Sequence, residues 1–178
     1  MHSPFSICFH TFRCISKEQK STWRNRDIAF VLIASVFLTF ALSANVFENI
    51  HVTIILTCVS ALVAACGAYV ILCSQFNDES KYYKMYIVGT MLVPVILCLF
   101  PMMYKAVVSP SSEIITYVVT AFLALIIGLL IYVASVPERF APGVFDLFGY
   151  SHHLMHICLI VAYVAEFMFI QACIKLKQ

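Results

Sequence analysis

Five long apolar runs decide what this chain can fold into. They extend from Ile28 to Phe47, Val52 to Ser74, Met85 to Tyr104, Ile114 to Ser135 and His152 to Ile174. Each reaches the ~20 mostly apolar residues that a helix needs to cross a bilayer. Inside lipid the backbone N–H and C=O groups find no outside partner, so a spanning segment is a helix or part of a closed barrel. A barrel would show short segments of alternating polarity, whereas these runs are unbroken. Composition agrees, with 62% hydrophobic and 11% charged residues, against roughly 45–50% and ~25% in a soluble domain. The expectation is an all-α, polytopic transmembrane helical bundle forming a single transmembrane domain over residues 1–178.

Short polar links separate the runs, among them Phe76 to Lys81 and Ser109 to Glu113. Pro94 and Pro101 lie inside the third run and predict kinks there. Ahead of Lys17, the apolar segment from Pro4 to Ser16 spans only about half of a membrane helix. It reads as the inner end of a truncated helix, and Met1 to Ser16 does not read as a secretory signal.

The net charge of +2 is too small to suggest a nucleic-acid partner. Of the eight cysteines, Cys58, Cys66, Cys73, Cys98, Cys158 and Cys173 fall in apolar runs, where a thiol packs as a small hydrophobe. There is no CxxC pair. Basic residues set the expected orientation. Arg13, Lys17, Lys20, Arg24, Arg26, Lys81, Lys84 and Arg139 fall on one side of the membrane, and Lys105, Lys175 and Lys177 on the other. The richer side is assigned to the cytosol, which puts the C-terminus outside or in a lumen.

That topology selects candidate chemistry by depth. His10, Asp27, His152 and His156 all fall near the cytosolic interface. His152 and His156 are one helical turn apart on one face and can share a metal ion. His10 would add a third nitrogen, leaving a fourth position for water, the catalytic pattern for zinc. Zinc lowers the pKa of that water toward ~7, and Asp27 could hold the water and accept its proton. Ser6, four residues before His10 on the same face, could orient the water or an oxyanion. Simpler readings stand beside these. The two histidines could be interfacial, as His153 is expected to be, and Asp27 could be a helix-start acid favoured by the dipole. Glu166 is a functional candidate as an intramembrane acid, or a side chain that reaches water at the outer face. The Pro137-Glu138-Arg139 segment and Asp146 are expected to shape the link that aims His152 and His156. The aromatics read mainly as packing and interfacial belt.

The elements Phe9-His10-Thr11-Phe12, Asp27, the stretch from Val136 to Asp146 (V-P-E-R-F-A-P-G-V-F-D) and Ser151 to His156 (S-H-H-L-M-H) form a specific pattern. It resembles the progestin and adipoQ receptor family, which includes adiponectin receptors, membrane progestin receptors and hemolysin III-like proteins. The resemblance implies a seven-helix bundle with an inward N-terminus, of which the first helix is missing here and the second truncated. It implies Zn2+ near the cytosolic face, with Ser6, His10, Asp27, His152 and His156 matching the family's site elements. It implies a multi-pass membrane receptor in the plasma membrane or an internal membrane. Its partners would be membrane lipid and a steroid or adiponectin-like ligand, and it would be linked to hydrolysis of ceramide-like amides. The alternative is a structural or regulatory protein in which zinc only braces the bundle. The sequence departs from the family at Cys14-Ile15-Ser16 and at His153, where glutamine is usual. Ala141-Pro142-Gly143 and the stretch from Phe145 to Ser151 lie closer to the membrane progestin branch.

Overall fold

A computed structural model of the protein describes residues 17–73, 81–141, 144–145 and 149–177. The segment from Pro4 to Ser16, with Ser6 and His10, lies outside the described residues. The described residues are helical: α1 Lys17–Val46, α2 Ile50–Cys73, α3 Lys81–Val108, α4 Ser112–Ala134 and α5 Ser151–Lys175. All five are long and apolar enough to cross a membrane.

Two helices differ from the apolar runs that announce them. Helix α1 begins at Lys17 rather than Ile28, and α3 covers Lys81–Val108 rather than Met85 to Tyr104. An apolar window finds the lipid-embedded part of a helix. Lys, Glu, Gln and Arg are good helix formers, so the helix continues past that window into the interface. The third helix runs unbroken through Pro94 and Pro101. A proline there removes one backbone donor without ending the helix.

The chain forms two compact units, one ending at Cys98 and one beginning at Leu99, so α3 contributes to both. In the first unit, α1 and α2 pack as a hairpin. The buried face of α2 is Thr53, Ser60, Ala64, Gly67 and Ile71, a stripe of mostly small residues at helical spacing. Apolar burial gives little drive for helices to associate in lipid, so close van der Waals approach and interhelical hydrogen bonds carry the packing. Both occur here. A Cβ placed on Gly67 would lie 3.2 Å from Leu32 Cδ1, so the two helices approach closely at that point. The Thr39 hydroxyl donates to Ser35 O at 2.8 Å, which leaves it to accept from Ser60 Oγ at 3.4 Å. Nearer the start of α1, Asn25 Nδ2 donates to Ile71 O at 3.2 Å.

In the second unit, α4 packs on α5. Ser111 accepts the Ile114 N–H at 3.2 Å, and Glu113 in the first turn favours the positive end of α4. At the other end Ser135 adopts a left-handed conformation (φ 52°) and donates to the Ile131 and Tyr132 carbonyls, which closes α4. The buried side of α4 is Ile114, Val118, Ala121, Gly128 and Tyr132. Against it α5 buries Ala162, Ala165, Phe169, Ala172 and Cys173. The outward faces stay apolar, with Phe37 71% and Leu62 67% exposed. Such surfaces would aggregate in water and are what lipid solvates. The protein is a multi-pass membrane protein.

Among the described glycines the tightest approach is at Gly128, where an added Cβ would lie 2.9 Å from Cys158 Cβ. Gly128→Ala is therefore expected to cost about 1–3 kcal/mol through overpacking. Gly67→Ala is tight only against the end of the flexible Leu32 side chain, with Thr90 at an ordinary 3.9 Å, and should cost less. Gly89→Ala has nothing within 4 Å and should be neutral or stabilising by up to ~1 kcal/mol through helix propensity. Melting of the three variants in one detergent, followed by circular dichroism, checks that order.

Candidate metal centre

The centre begins with how α5 starts. Its N-cap, Tyr150, is extended and offers no side-chain cap. The first-turn N–H of Ser151 is instead accepted by Glu138 Oε2 at 2.8 Å, and Ser151 Oγ donates to Glu138 Oε1. Glu138 comes from the link between α4 and α5, which also holds the cis Val136–Pro137 peptide bond. A carboxylate at a helix start satisfies an orphan donor and complements the dipole.

One residue further on, His152 is 5% exposed, and one turn beyond it His156 is 8% exposed. Their Nε2 atoms lie 3.0 Å apart and the ring centroids 4.6 Å apart. Two aromatic rings bracket His152. Tyr150 stacks on it at 6.3 Å with 9° between planes, and Tyr132 of α4 meets it edge-on at 5.9 Å. His153 faces elsewhere, its Nδ1 accepting the Gly149 N–H at 3.4 Å while its ring tilts against Tyr150.

In the first unit, Asp27 of α1 is 1% exposed, and Ile28 and Ala29 beside it are buried as well. The hydrogen bond from Asn25 to Ile71 O fixes this end of α1 on α2. On the neighbouring turn the Arg26 guanidinium lies 5.0 Å from the centre of the Trp23 ring, a cation–π contact.

Within the second unit, His152 and His156 are buried side chains of ligand type and could hold a metal ion. The His pair fits that use. Two nitrogens at ~2.0–2.1 Å from a tetrahedral zinc lie about 3.3 Å apart, close to the Nε2 separation found. Glu166 is also fully buried, between the turns of Ala162 and Phe169 on α5. Ser6 and His10 lie outside the described residues. Tyr132 is the neighbour that sequence spacing does not reveal, since its place beside His152 depends on the register between α4 and α5.

Residues 3–167 match the family model described as haemolysin-III related. The ADIPOR-like receptor IZH1 of Eremothecium gossypii is 25% identical over 169 residues, covering 91% of this chain and 52% of that protein. Human membrane progestin receptor gamma is 27% identical over 169 residues, covering 88% of this chain and 51% of that protein. The adiponectin receptor protein of Drosophila melanogaster is 25% identical over 165 residues, covering 89% of this chain and 36% of that protein. The chain spans about half the length of the first two of these relatives. No solved structure matches it.

The geometry separates the three neighbouring histidines. His152→Ala and His156→Ala are each expected to lower divalent-metal uptake by at least about tenfold, since each removes a ligand from a chelating pair. His153→Ala should leave uptake within about twofold of the parent. Competition against a zinc chelator, with purified protein in detergent, reads the difference.

Proposed function

The chain belongs to the haemolysin-III related family, and we propose that it is a receptor of the progestin and adipoQ type with a zinc site near the cytosolic face, coupled to hydrolysis of a ceramide-like amide. The observation that carries this reading is the buried His152–His156 pair, with its Nε2 atoms 3.0 Å apart at the start of α5. Topology supports Asp27 as its companion. A chain that crosses the membrane at each of five helices returns at the start of α5 to the side on which α1 began. Asp27, just ahead of the apolar run of α1 that begins at Ile28, and His152 near the start of α5 then share one membrane face. The excess of basic residues on that side, including Arg24, Arg26 and Arg139, assigns it to the cytosol. The C-terminus lies outside or in a lumen, and the membrane is the plasma membrane or an internal one.

His10, His152 and His156 would hold the ion. Bound there, zinc supplies Lewis-acid polarisation of an amide carbonyl and a water acidified toward a pKa of ~7. A carboxylate oxygen of Asp27 accepts the proton from the attacking water and later returns it to the leaving amine. The Ser6 hydroxyl donates to the developing oxyanion. The burial of the pair between the rings of Tyr132 and Tyr150 limits access of bulk water and strengthens both interactions. A lipid amide can reach such a site from within the bilayer. The relatives named as progestin and adiponectin receptors point to a steroid or adiponectin-like ligand as the signal.

A second reading rests on burial. Asp27, His152 and His156 are each 8% exposed or less, which suits a metal that only braces helices. The two readings part on turnover. Purified protein should contain about one zinc per chain and release fatty acid from ceramide. Asp27→Ala should cut that release by about 10²–10⁴-fold, the usual worth of a general base, while zinc remains bound. Zinc-loaded protein that cleaves no amide, yet melts at lower temperature once His156→Ala removes the metal, would establish the brace instead.

A further inference from the structure

The histidine pair can act on a metal only if the first turn of α5 is formed and fixed, and that turn lacks a cap of its own. We infer that Glu138 is the positioning residue of the pair: its carboxylate, reaching across the α4–α5 link, caps α5 and locks His152 and His156 in register. The inference rests on reading these histidines as metal ligands.

Three observations converge on Glu138. First, both carboxylate oxygens are engaged by one residue, Oε2 by the Ser151 N–H at 2.8 Å and Oε1 by the Ser151 hydroxyl. A two-point contact fixes direction as well as distance. Second, Ser151 is 3% exposed while Glu138 is half-buried, so the contact is partly shielded from water and worth more than a fully exposed cap. Third, Ser151 is covalently joined to His152, and His156 lies one turn further along the same rigid helix. A shift of Ser151 therefore moves both rings together. The sequence around Glu138 helps hold it in place. Ser135 stops α4 with a left-handed turn, and Arg139 N–H donates to Ser135 O at 2.9 Å, folding the link back on the end of α4. Tyr132, on the last turn of that same helix, meets the His152 ring. One end of α4 thus supports the pair twice, through the Tyr132 ring and through the link that carries Glu138. Groups that orient metal ligands through a neighbour are typically worth 10–100-fold in metal affinity.

The test uses the full chain in lipid nanodiscs, with two readouts. Hydrogen exchange on metal-stripped protein follows the amides of the first turn of α5. Chelator competition measures zinc affinity. Glu138→Ala should raise exchange in that first turn about tenfold, the usual scale for losing a cap, with the middle of α5 unchanged. Its zinc affinity should fall about 10- to 100-fold. Glu138→Gln keeps an acceptor oxygen for the Ser151 N–H and should recover most of both. Should Glu138→Ala not fold, Glu138→Asp, which withdraws the carboxylate by one methylene, carries the same two readouts. First-turn exchange equal to wild type would overturn the inference. So would loosening spread evenly along α5, or a loosened turn with unchanged zinc affinity. If wild-type protein takes up no zinc, the metal reading fails by itself, and first-turn exchange alone decides whether Glu138 sets the position of the two rings.

Discussion

Lipid gives a helix nothing to gain by hiding apolar side chains from it, and the rest of the structure depends on that constraint. Leu62 and Phe37 can face outward at no cost, so they say nothing about which helix sits beside which. Specificity passes to what lipid cannot supply: close backbone approach and hydrogen bonds between helices. The α1–α2 hairpin uses both, with Gly67 against Leu32, the Thr39–Ser60 hydroxyl pair and the Asn25–Ile71 bond. The α4–α5 pair uses the first at Gly128 and Cys158. These contacts fix helix register, and register decides which side chains meet. Tyr132 lies beside His152 because Gly128, one turn earlier on α4, lets α5 come close.

The same constraint makes every buried polar group expensive. Ionisable side chains are almost absent from the middle of the five helices, yet Asp27, His152, His156 and Glu166 are buried. Two of the four, His152 and His156, lie in the first two turns of α5, whose orphan N–H groups and helix dipole favour a nearby negative charge. At the start of α5 the protein meets this need with Glu138, a carboxylate from outside the helix. That choice leaves the first turn of α5 free to present histidines rather than a capping side chain. A conventional capping acid within the turn would compete with them for the same space.

Much of this is legible in the sequence. The five apolar runs name the five helices, because bilayer thickness fixes their minimum length. The four-residue spacing of His152 and His156 places them on one face, because a helix turns every 3.6 residues. Glu138, in the V-P-E-R-F-A-P-G-V-F-D stretch, contacts Ser151 beside them. Three things were out of reach. The early start of α1 is invisible to an apolar window, since Lys17 to Arg26 is polar but still helical. Tyr132 depends on the register of two helices, which Gly128 sets only in three dimensions. That both Glu138 oxygens close on Ser151 is a matter of link geometry that no spacing rule predicts.

The His152–His156 contact can be made in two chemically different ways. In the first, one imidazole donates its Nε2–H to the bare Nε2 of the other. The donor ring then carries its proton on Nε2 and the acceptor ring on Nδ1, and the pair is neutral. In the second, both Nε2 atoms are bare and turn their lone pairs toward a cation. Two bare nitrogens 3.0 Å apart would repel without a proton or an ion between them, so the arrangement always holds one or the other. A single neutral hydrogen bond is worth only about 1 kcal/mol net, a small return for ordering and burying two imidazoles at the end of a membrane helix. A divalent ion engages both lone pairs at once. The fully engaged Glu138 carboxylate and the rings of Tyr132 and Tyr150 around His152 amount to a rigid setting that a lone hydrogen bond does not require. Rigidity of that kind is what a chelating pair needs, because two ligands held in place in advance lose less freedom when the ion arrives.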